Sequence, residues 1–322
     1  MKKISLKEFY YENKENFAIT LVTNESTLNG MDITIPYINR PGLALSGYLE
    51  RFPYNRIQIM GETEITYLQS LPESELFDRM KLILKNSIPC FVISKGLTVP
   101  QQMEYLANDL QISIFSSRLT TDQLIQKMNR YLRNVFAPTE DLHGTLVDVY
   151  GVGVIITGKS GIGKSECALD LVERGHRLIA DDMVKMTNLD DTLIGSAVSN
   201  VGYFMEIRGV GIIDIEKMFG IEAVRRQKRI EIQVELVHWK DNAEYERIGL
   251  DTRFSRHLGC QIPIVYLPIS PGKNVSVIIE VIAMNLILKT YGYDAANVFT
   301  SKMQEAIMKK RRTKKILFEE KE

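Results

Sequence analysis

The chain has 322 residues, 45% of them apolar, and this length and composition predict two globular domains that each bury a core of their own. Lysine plus arginine and aspartate plus glutamate both number 40, so no overall charge favours nucleic acid or a membrane surface as a partner. No apolar run approaches the roughly 20 residues of a membrane helix, and the N-terminus lacks a signal-peptide stretch, which predicts a cytoplasmic protein.

The first third of the chain alternates strand-like and helix-like segments, the pattern of a small parallel α/β domain. Apolar, β-prone runs occupy residues 56–60, 90–94 and 112–115, and helical periodicity occupies residues 74–84 and 101–110. No glycine-rich phosphate loop follows any of these strands. We therefore expect an N-terminal domain over residues 1–134 that is regulatory or structural and binds no nucleotide.

A longer helix is predicted over residues 121–135, and the polar, proline-containing segment at 137–141 interrupts the pattern after it. We place the domain boundary at this interruption. The second domain is expected over residues 135–310, and a charged tail over residues 311–322. The basic run at 309–315 is interpreted as solvated charge rather than as a nucleic-acid site.

The second domain contains a complete GxxxxGKS loop between a β-prone run at 152–157 and a helical segment at 166–174. Glycines let successive N–H groups turn inward around phosphates, and the helix N-terminus adds its positive dipole end. The lysine reaches the outer phosphates and the serine hydroxyl ligates Mg²⁺. The motif predicts a nucleoside triphosphate site formed by Gly158, Lys159, Ser160, Gly161, Ile162, Gly163, Lys164 and Ser165.

Two adjacent aspartates, Asp181 and Asp182, follow a further predicted strand at residues 177–180. P-loop proteins place the acid that holds Mg²⁺ at this position. One carboxylate can serve the metal, while the other takes the proton from an attacking hydroxyl if burial and its neighbour raise its pKa. The pattern leaves open which aspartate has which role.

A second glycine-punctuated stretch places an acid and a base, Glu206 and Arg208, beside a flexible backbone. Alone it is weak evidence, because a Glu-x-Arg pair on a strand usually faces solvent. The stretch consists of Met205, Glu206, Ile207, Arg208, Gly209, Val210, Gly211, Ile212, Ile213 and Asp214.

Together these motifs resemble the HPr kinase/phosphorylase family. The resemblance rests on segments that occur in family order, at residues 142–144, 158–165, 175–182, 206–213, 245–250 and 268–274, and on residues 39–42 near the N-terminus. It implies a C-terminal P-loop kinase domain that resembles phosphoenolpyruvate carboxykinase, after the small parallel α/β domain that the strand and helix pattern predicts at the N-terminus.

The family uses ATP and Mg²⁺ to phosphorylate a serine of HPr, the small phosphocarrier of the sugar phosphotransferase system. Many members also run the reverse phosphorolysis, in which inorganic phosphate attacks the phosphoserine and pyrophosphate is formed. The resemblance therefore implies a serine protein kinase and phosphorylase that controls carbon metabolism. It further implies a homohexamer, with residues 295–307 as a candidate docking surface for HPr and the apolar helix near 275–289 as a buried or subunit-contact helix.

The resemblance implies that the stretch from Met205 to Asp214 is a catalytic motif, and it also assigns roles within the predicted phosphate site. Lys164 would neutralise the transferring phosphoryl group, and Ser165 and Glu206 would hold the metal. Asp182 is the expected base for the serine hydroxyl, and Asp181 is the alternative. The same carboxylic acid would return the proton to serine in phosphorolysis, because forward and reverse steps share one path.

His143 and Arg247 complete the catalytic set that the resemblance implies. Arg247 would compensate transition-state charge in the way an arginine finger does. From the residues alone, Arg247 equally suits a surface ion pair with Glu244 or Glu246, and His143 suits a structural role before a glycine at the start of a strand.

One segment departs from the family. Members commonly have Pro-Val-Arg-Pro-Gly-Arg in the phosphorolysis loop, where this chain has Pro268, Ile269, Ser270, Pro271, Gly272 and Lys273. Both arginines are replaced. A guanidinium binds phosphate through two N–H donors that lie in one plane, and neither serine nor lysine has such a pair of donors. We expect phosphorolysis to be reduced relative to kinase activity.

Two other functions fit parts of the sequence. A P-loop kinase of a small metabolite would share every feature up to Asp182, and only the later motifs argue against it. A regulator that senses ATP without transfer would suit a member with a damaged site, whereas every residue proposed for catalysis is present here.

Overall fold

The computed structural model of the chain describes residues 2–198, 202–239, 253–270 and 272–319, and from residue 309 onward it describes the helix backbone only. The chain divides into two compact units, Met1–Ala137 and Pro138–Glu322. Both units combine helices with sheets, which confirms the predicted α/β fold class. Across the described segments no single helix has the length and hydropathy to cross a membrane, and one bent helix pair, Val275–Thr290 with Ala295–Met308, meets that test only when joined.

The N-terminal unit is built on one five-stranded sheet. Its strands are β1 (Ile19–Leu21), β2 (Ile38–Asn39), β3 (Ile57–Met60), β4 (Cys90–Ile93) and β5 (Ser113–Ser117). Its helices are α1 (Leu6–Asn13), α2 (Gly42–Leu45), α3 (Glu62–Ser70), α4 (Glu73–Leu84), α5 (Gln101–Asp109) and α6 (Thr121–Phe136), with a 3-10 turn at Glu25–Asn29. The strand order is β1-β5-β4-β3-β2.

Four strands of this sheet are parallel, as the alternating pattern predicts, and β1 is antiparallel to β5. The difference arises because β1 precedes the strand-helix-strand crossovers and joins the sheet at its edge. Helices α3, α4 and α5 pack on one face of the sheet, and α1 and α6 pack on the other. In α6 the buried residues Leu124, Met128 and Leu132 recur every four residues, so one apolar stripe of the helix faces the sheet.

The C-terminal unit contains two larger sheets and a hairpin. Its strands are β6 (Thr139–His143), β7 (Thr145–Val149), β8 (Val152–Gly158), β9 (Arg177–Ala180), β10 (Met183–Leu189), β11 (Thr192–Ala197), β12 (Phe204–Ile207), β13 (Gly211–Asp214), β14 (Gln227–Arg229), β15 (Ile232–His238), β16 (Arg253–His257) and β17 (Cys260–Ile269). Its helices are α7 (Lys164–Glu173), α8 (Ile215–Phe219), α9 (Val275–Thr290) and α10 (Ala295–Glu319), with a 3-10 turn at Ile221–Ala223.

The main sheet of this unit has the order β16-β17-β15-β8-β7-β9. Strand β15 is parallel to both β8 and β17. Strand β7 is antiparallel to both β8 and β9, so β9 runs in the same direction as β8. The carboxyl ends of β8, β9, β15 and β17 therefore lie at one edge of the sheet, which is where open α/β sheets bind ligands.

Helices α7 and α9 bury their apolar side chains against this sheet. Leu171 and Val172 of α7 and Ile279 and Ala283 of α9 belong to the same core as the buried residues of β8. Strand β8 is buried along almost its whole length, which fits an interior strand with helices above it. The sheet thus holds the start of α7 in a fixed place at the ligand-binding edge.

Residues 139–143 form a strand, whereas we expected the segment at 137–141 only to interrupt regular structure. Strand β6 pairs antiparallel with β10 at the edge of the second sheet, whose order is β14-β11-β10-β6. Four of its five side chains are exposed, so the sequence lacks the apolar alternation by which a strand is recognised. The pairing matters because it sets His143 opposite Met183, next to the aspartates.

Candidate active site

The P-loop connects the end of β8 to the start of α7 at the carboxyl edge of the main sheet. Gly158, Gly161 and Gly163 have φ angles of 144°, 75° and 102°, in the range that favours glycine. A Cβ atom on Gly158 would lie 2.6 Å from the carbonyl oxygen of Leu236, so this position needs glycine for space as well. The loop has the backbone shape that presents N–H groups to an anion at a helix N-terminus.

Lys164 is the first residue of α7, and its side chain is buried. Its ammonium group lies 3.3 Å from the carbonyl oxygen of Gly158 and 3.4 Å from that of Lys159. It also lies 3.3 Å from Nε2 of His143. These contacts hold one positive charge against the loop, where it can exchange carbonyl oxygens for phosphate oxygens.

The two aspartates that follow β9 face different partners. Asp181 accepts a hydrogen bond from the hydroxyl of Ser165, at 2.9 Å, and another from the hydroxyl of Thr145, at 2.6 Å. Asp182 is exposed, and its Oδ1 lies 3.2 Å from Nδ1 of His143. One carboxylate therefore joins the P-loop serine, and the other joins the histidine.

His143 lies between Lys164 and Asp182. A neutral imidazole protonated at Nδ1 satisfies both contacts, because it donates to Asp182 and its Nε2 accepts from Lys164. The backbone of Asp182 has a φ of 66°, which is uncommon outside glycine, and its carbonyl accepts the N–H of Gly144 at 3.0 Å. This hydrogen bond fixes the chain segment that aims the Asp182 carboxylate.

A cleft of about 350 Å³ extends from the P-loop to the hairpin formed by β12 and β13. Met205 and Ile207 are buried in the core, so the alternation of the strand turns Phe204 and Glu206 outward. Phe204, Glu206 and Arg208 line the cleft together with the P-loop serine and both aspartates. The glycine-punctuated stretch and the phosphate loop therefore face each other.

The second half of that stretch completes the hairpin. Val210 lies in the turn, where its N–H donates to the carbonyl of Ile207 at 3.1 Å. Ile212 is exposed at the cleft, whereas Ile213 packs against the core. Asp214 ends β13 and caps α8 by accepting the N–H of Lys217, so this carboxylate serves the fold.

The oxygen donors of the cleft fit Mg²⁺ bound together with phosphates. Within the described segments no group of three or more histidine, cysteine, aspartate or glutamate side chains forms a metal site. The cleft instead offers the hydroxyl of Ser165, the adjacent Asp181 carboxylate and the Glu206 carboxylate. Mg²⁺ keeps several waters and takes one or two carboxylates plus substrate phosphates, so this sparse set suits it.

The phosphorolysis loop follows β17 at the same edge of the sheet. Ile269, Ser270, Gly272 and Lys273 line a second cleft of about 650 Å³, which also touches Gly163 of the P-loop. The ammonium of Lys273 donates to the carbonyl of Pro268 at 3.1 Å, so it contacts its own loop.

Two predicted residues of these motifs, Arg247 and Pro271, lie outside the described residues.

Both units of the chain match models of one protein family. The family models described as HPr Serine kinase N terminus and HPr Serine kinase C-terminal domain match residues 4–132 and 134–303. An HPr kinase/phosphorylase of Brevibacillus brevis is 45% identical over 295 residues, which cover 91% of this chain and 94% of that protein. The chain belongs to the HPr kinase/phosphorylase family.

A second relative and one solved structure are similar over different shares of the chain. The HPr kinase/phosphorylase of Bacillus subtilis is 40% identical over 294 residues, covering 91% of this chain and 94% of its own. The solved structure of the Hpr(Ser) kinase/phosphatase from Coxiella burnetii is 35% identical, covers 50% of this chain and 98% of its own, and aligns with a TM-score of 0.45.

Sequence reasoning missed two groups of residues in this HPr kinase/phosphorylase family member. Thr145 gives no signal of its own, and only the pairing of β7 with β9 brings it to Asp181. His176 is buried and lies 3.0 Å from the buried Glu280 of α9, which also accepts hydrogen bonds from Arg174. The contacts among Arg174, His176 and Glu280 connect the end of α7 to α9, away from the cleft.

Proposed function

We propose that this chain transfers the γ-phosphoryl group of ATP to a serine of HPr, and that it catalyses the reverse phosphorolysis of phosphoserine-HPr. The observation that carries the proposal is the single row of contacts from Lys164 through His143 to Asp182. It sets a phosphate-binding cation beside an exposed carboxylate in a chain whose relatives are named HPr kinase/phosphorylase. In the cell the activity would serve the control of carbon metabolism, in the cytoplasm.

Phosphate binding is assigned to the loop and to the first turn of α7. The backbone N–H groups and the helix dipole favour the anionic phosphates, and Lys164 meets the outer ones. The protein contacts that Lys164 gives up are two long carbonyl contacts and one histidine contact, at 3.3–3.4 Å. Charged phosphate oxygens are stronger acceptors than these carbonyl oxygens, so the exchange is favourable.

We assign the metal to Ser165 and Glu206, and we add Asp181. These residues would hold Mg²⁺, which would supply positive charge to the phosphate oxygens. Asp181 already accepts the Ser165 hydroxyl and is oriented from its other side by Thr145. Its contacts therefore suit a residue that holds a ligand set in place, rather than one that is free to receive a proton.

Asp182 is assigned as the base. Its carboxylate takes the proton of the acceptor serine as the serine Oγ forms a bond to the γ-phosphorus, and the bond from that phosphorus to the bridging oxygen breaks with its electron pair on ADP. His143 donates to Asp182 and orients it. In phosphorolysis an oxygen of inorganic phosphate attacks the phosphoserine phosphorus, serine leaves, and the proton of the attacking phosphate reaches serine through Asp182, which yields pyrophosphate.

The docking of HPr is assigned to α10. Phe299, Met303 and Ile307 are exposed and recur every four residues, so they form one apolar row on the described part of this helix. An apolar row suits the surface of a partner protein better than solvent. We further propose a homo-oligomer, a hexamer by resemblance, in which the partly exposed apolar residues of α9 contact neighbouring subunits.

The decisive assay incubates the full chain with Mg²⁺-ATP and the HPr protein of the same cell and locates the phosphate by mass spectrometry. We expect one phosphoserine on HPr, and we expect Asp182→Asn to form it about 10²–10⁴-fold more slowly while still binding ATP. Transfer to a small metabolite instead of HPr would replace this proposal by the metabolite-kinase alternative. ATP binding without any transfer would leave a nucleotide sensor.

A further inference from the structure

Three polar side chains form a chain of hydrogen bonds through the interior of the main sheet to the start of the P-loop. Thr157 precedes Gly158 at the end of β8. The amide nitrogen of Gln233, on the neighbouring strand β15, donates to Oγ1 of Thr157 at 2.9 Å. The amide oxygen of Gln233 lies 2.9 Å from Nε2 of His257, the last residue of β16. Thr157 and Gln233 are both buried, so the contacts cross the core.

The amide of Gln233 is held from both of its ends. With its proton on Nε2, the imidazole of His257 donates to the amide oxygen, which leaves the amide N–H for Thr157. The residues that pair with Gln233 on the two adjacent strands, Ile155 and Ile264, are buried and apolar. A buried amide in such surroundings is costly unless its polar atoms have partners, so these two hydrogen bonds fix its orientation.

Thr157 lies between the two segments that carry partners of Lys164. It is followed directly by Gly158, whose carbonyl oxygen is 3.3 Å from the Lys164 ammonium. On its other side, a Cβ atom built on Gly144 would lie 3.3 Å from Cγ2 of Thr157, so Gly144 packs closely against this threonine. His143, which also contacts Lys164, immediately precedes Gly144. A displacement of Thr157 would therefore move both neighbours of the catalytic lysine.

We propose that Gln233 is a positioning residue for phosphoryl transfer, which acts through Thr157 to hold the P-loop and the His143 segment in place around Lys164. The inference rests on the proposed function and adds to it a residue that acts from behind the loop. Replacing a buried hydrogen-bonded set by apolar groups of the same shape is often nearly neutral for stability, so packing alone does not require these polar residues. Placement matters for the rate, because a shift of about 1 Å in an active site can cost about 10²-fold.

The kinetic test breaks the contact from each side. Thr157→Val removes the acceptor at constant volume, and Gln233→Met removes the amide at similar length. The matched control is Thr27→Val in the N-terminal unit, where a comparably buried hydroxyl contacts Thr23 and Ser113. We expect kcat for HPr phosphorylation to fall about tenfold or more in the first two variants, with KM for ATP within about threefold of wild type. Thr27→Val should keep kcat within about twofold.

Thr157→Ser separates the hydroxyl from the volume of the side chain. It keeps the acceptor for Gln233 and loses only a methyl group, so its kcat should lie within about threefold of wild type. All rates are measured under conditions in which urea titration shows each chain to be folded. A kcat within about threefold of wild type in both Thr157→Val and Gln233→Met overturns the proposal, and so does a loss that Thr157→Ser shares in full with Thr157→Val.

A binding test separates this proposal from the identity of the acceptor. Isothermal titration of the full chain with Mg²⁺-ADP, with and without aluminium fluoride, reports affinity for a mimic of the transferring phosphoryl group and needs no HPr. We expect Gln233→Met and Thr157→Val to bind ADP like the wild type and to lose about tenfold or more in affinity for the mimic. Wild-type affinity of both variants for the mimic contradicts the role of Gln233, whether or not HPr proves to be the substrate.

Discussion

In both units parallel strands end at one edge of the sheet, where helices begin. The charged side chains at these two edges have different partners. In the N-terminal unit Glu64 accepts hydrogen bonds from the guanidinium of Arg40 at 2.8 Å and from the N–H of Gly61 at 3.0 Å. Lys95, after β4, pairs with Glu62 at 2.6 Å. These charges are satisfied by the unit's own side chains and helix ends.

At the corresponding edge of the C-terminal unit the chain leaves phosphate-binding groups available. The P-loop surrounds Lys164 with weak carbonyl contacts, and Arg208 has no partner within the described residues. We infer that a charged edge of an α/β sheet can bind phosphate when the fold leaves its cations and backbone N–H groups without strong partners. The paired charges at the N-terminal edge, together with the lack of a glycine-rich loop after its strands in the sequence, are the reasons that we expect no nucleotide there.

The two lysines at these edges should differ most strongly in their effect on the rate. Lys164→Ala should lower kcat for HPr phosphorylation at least about 10³-fold, because it removes the charge that meets the transferring phosphoryl group. Lys95→Ala should leave kcat within about twofold of wild type, since it breaks only an exposed ion pair. Steady-state kinetics on both variants tests the contrast. A similar loss in both variants would show that the edges do not differ as described.

Substitution of the two aspartates should change different kinetic properties. Asp182→Asn should lower kcat about 10²–10⁴-fold with ATP affinity nearly unchanged, because it removes the proton acceptor. Asp181→Asn should instead raise the Mg²⁺ concentration needed for half-maximal rate about tenfold or more. Magnesium titrations of the rate distinguish the two. The assignment is reversed if Asp182→Asn is the variant that excess Mg²⁺ rescues.

Glu64→Gln tests whether the N-terminal edge serves stability. The free energy of unfolding of the variant should be about 1–3 kcal/mol lower than that of the wild type, because the substitution removes a carboxylate buried against Arg40 and Gly61. The rate of phosphoryl transfer should not change. Urea denaturation measures the first effect. A transfer rate that falls with stability intact would assign a functional role to this edge.

The ion pair of Glu64 with Arg40 should also make the stability depend on pH. Burial opposes ionisation of Glu64, but the hydrogen bonds from Arg40 and Gly61 outweigh it, so the pKa of Glu64 lies below its ordinary value. The stabilisation is therefore present above the unfolded-state pKa and is lost as pH falls through the folded-state pKa. The stability difference between wild type and Glu64→Gln should shrink in acid; a difference that grows there contradicts the ion pair.

Restoring the two arginines of the phosphorolysis loop should have a modest effect on the rates. Lys273 contacts the carbonyl of Pro268, and its point charge lacks the fork of a guanidinium. Lys273→Arg combined with Ser270→Arg should raise phosphorolysis several-fold relative to kinase activity, measured at millimolar phosphate. Equal forward and reverse rates in the wild-type chain would contradict the expected weakness of this loop.

Local patterns were enough to predict much of the fold and the phosphate loop. The P-loop, the strand before it and α7 follow from residues close in sequence, as do α4, α5 and α6 of the N-terminal unit. The contacts that complete the site depend on pairing between distant segments. Thr145 reaches Asp181 across 36 residues, and Arg208 reaches Gly161 only because the β12–β13 hairpin folds over the loop. Strand β6 was missed because its polar edge has no apolar period.

In the proposed mechanism one carboxylate at one sheet edge serves both directions of transfer. To test this, phosphoserine-HPr and inorganic phosphate are supplied to the wild-type chain and to Asp182→Asn, and pyrophosphate and released HPr are quantified. We expect equal amounts of both products from the wild type and about 10²–10⁴-fold slower formation of both by Asp182→Asn. Pyrophosphate formation at the wild-type rate by an Asp182→Asn chain that has lost kinase activity would contradict it, because the two directions would then use different groups.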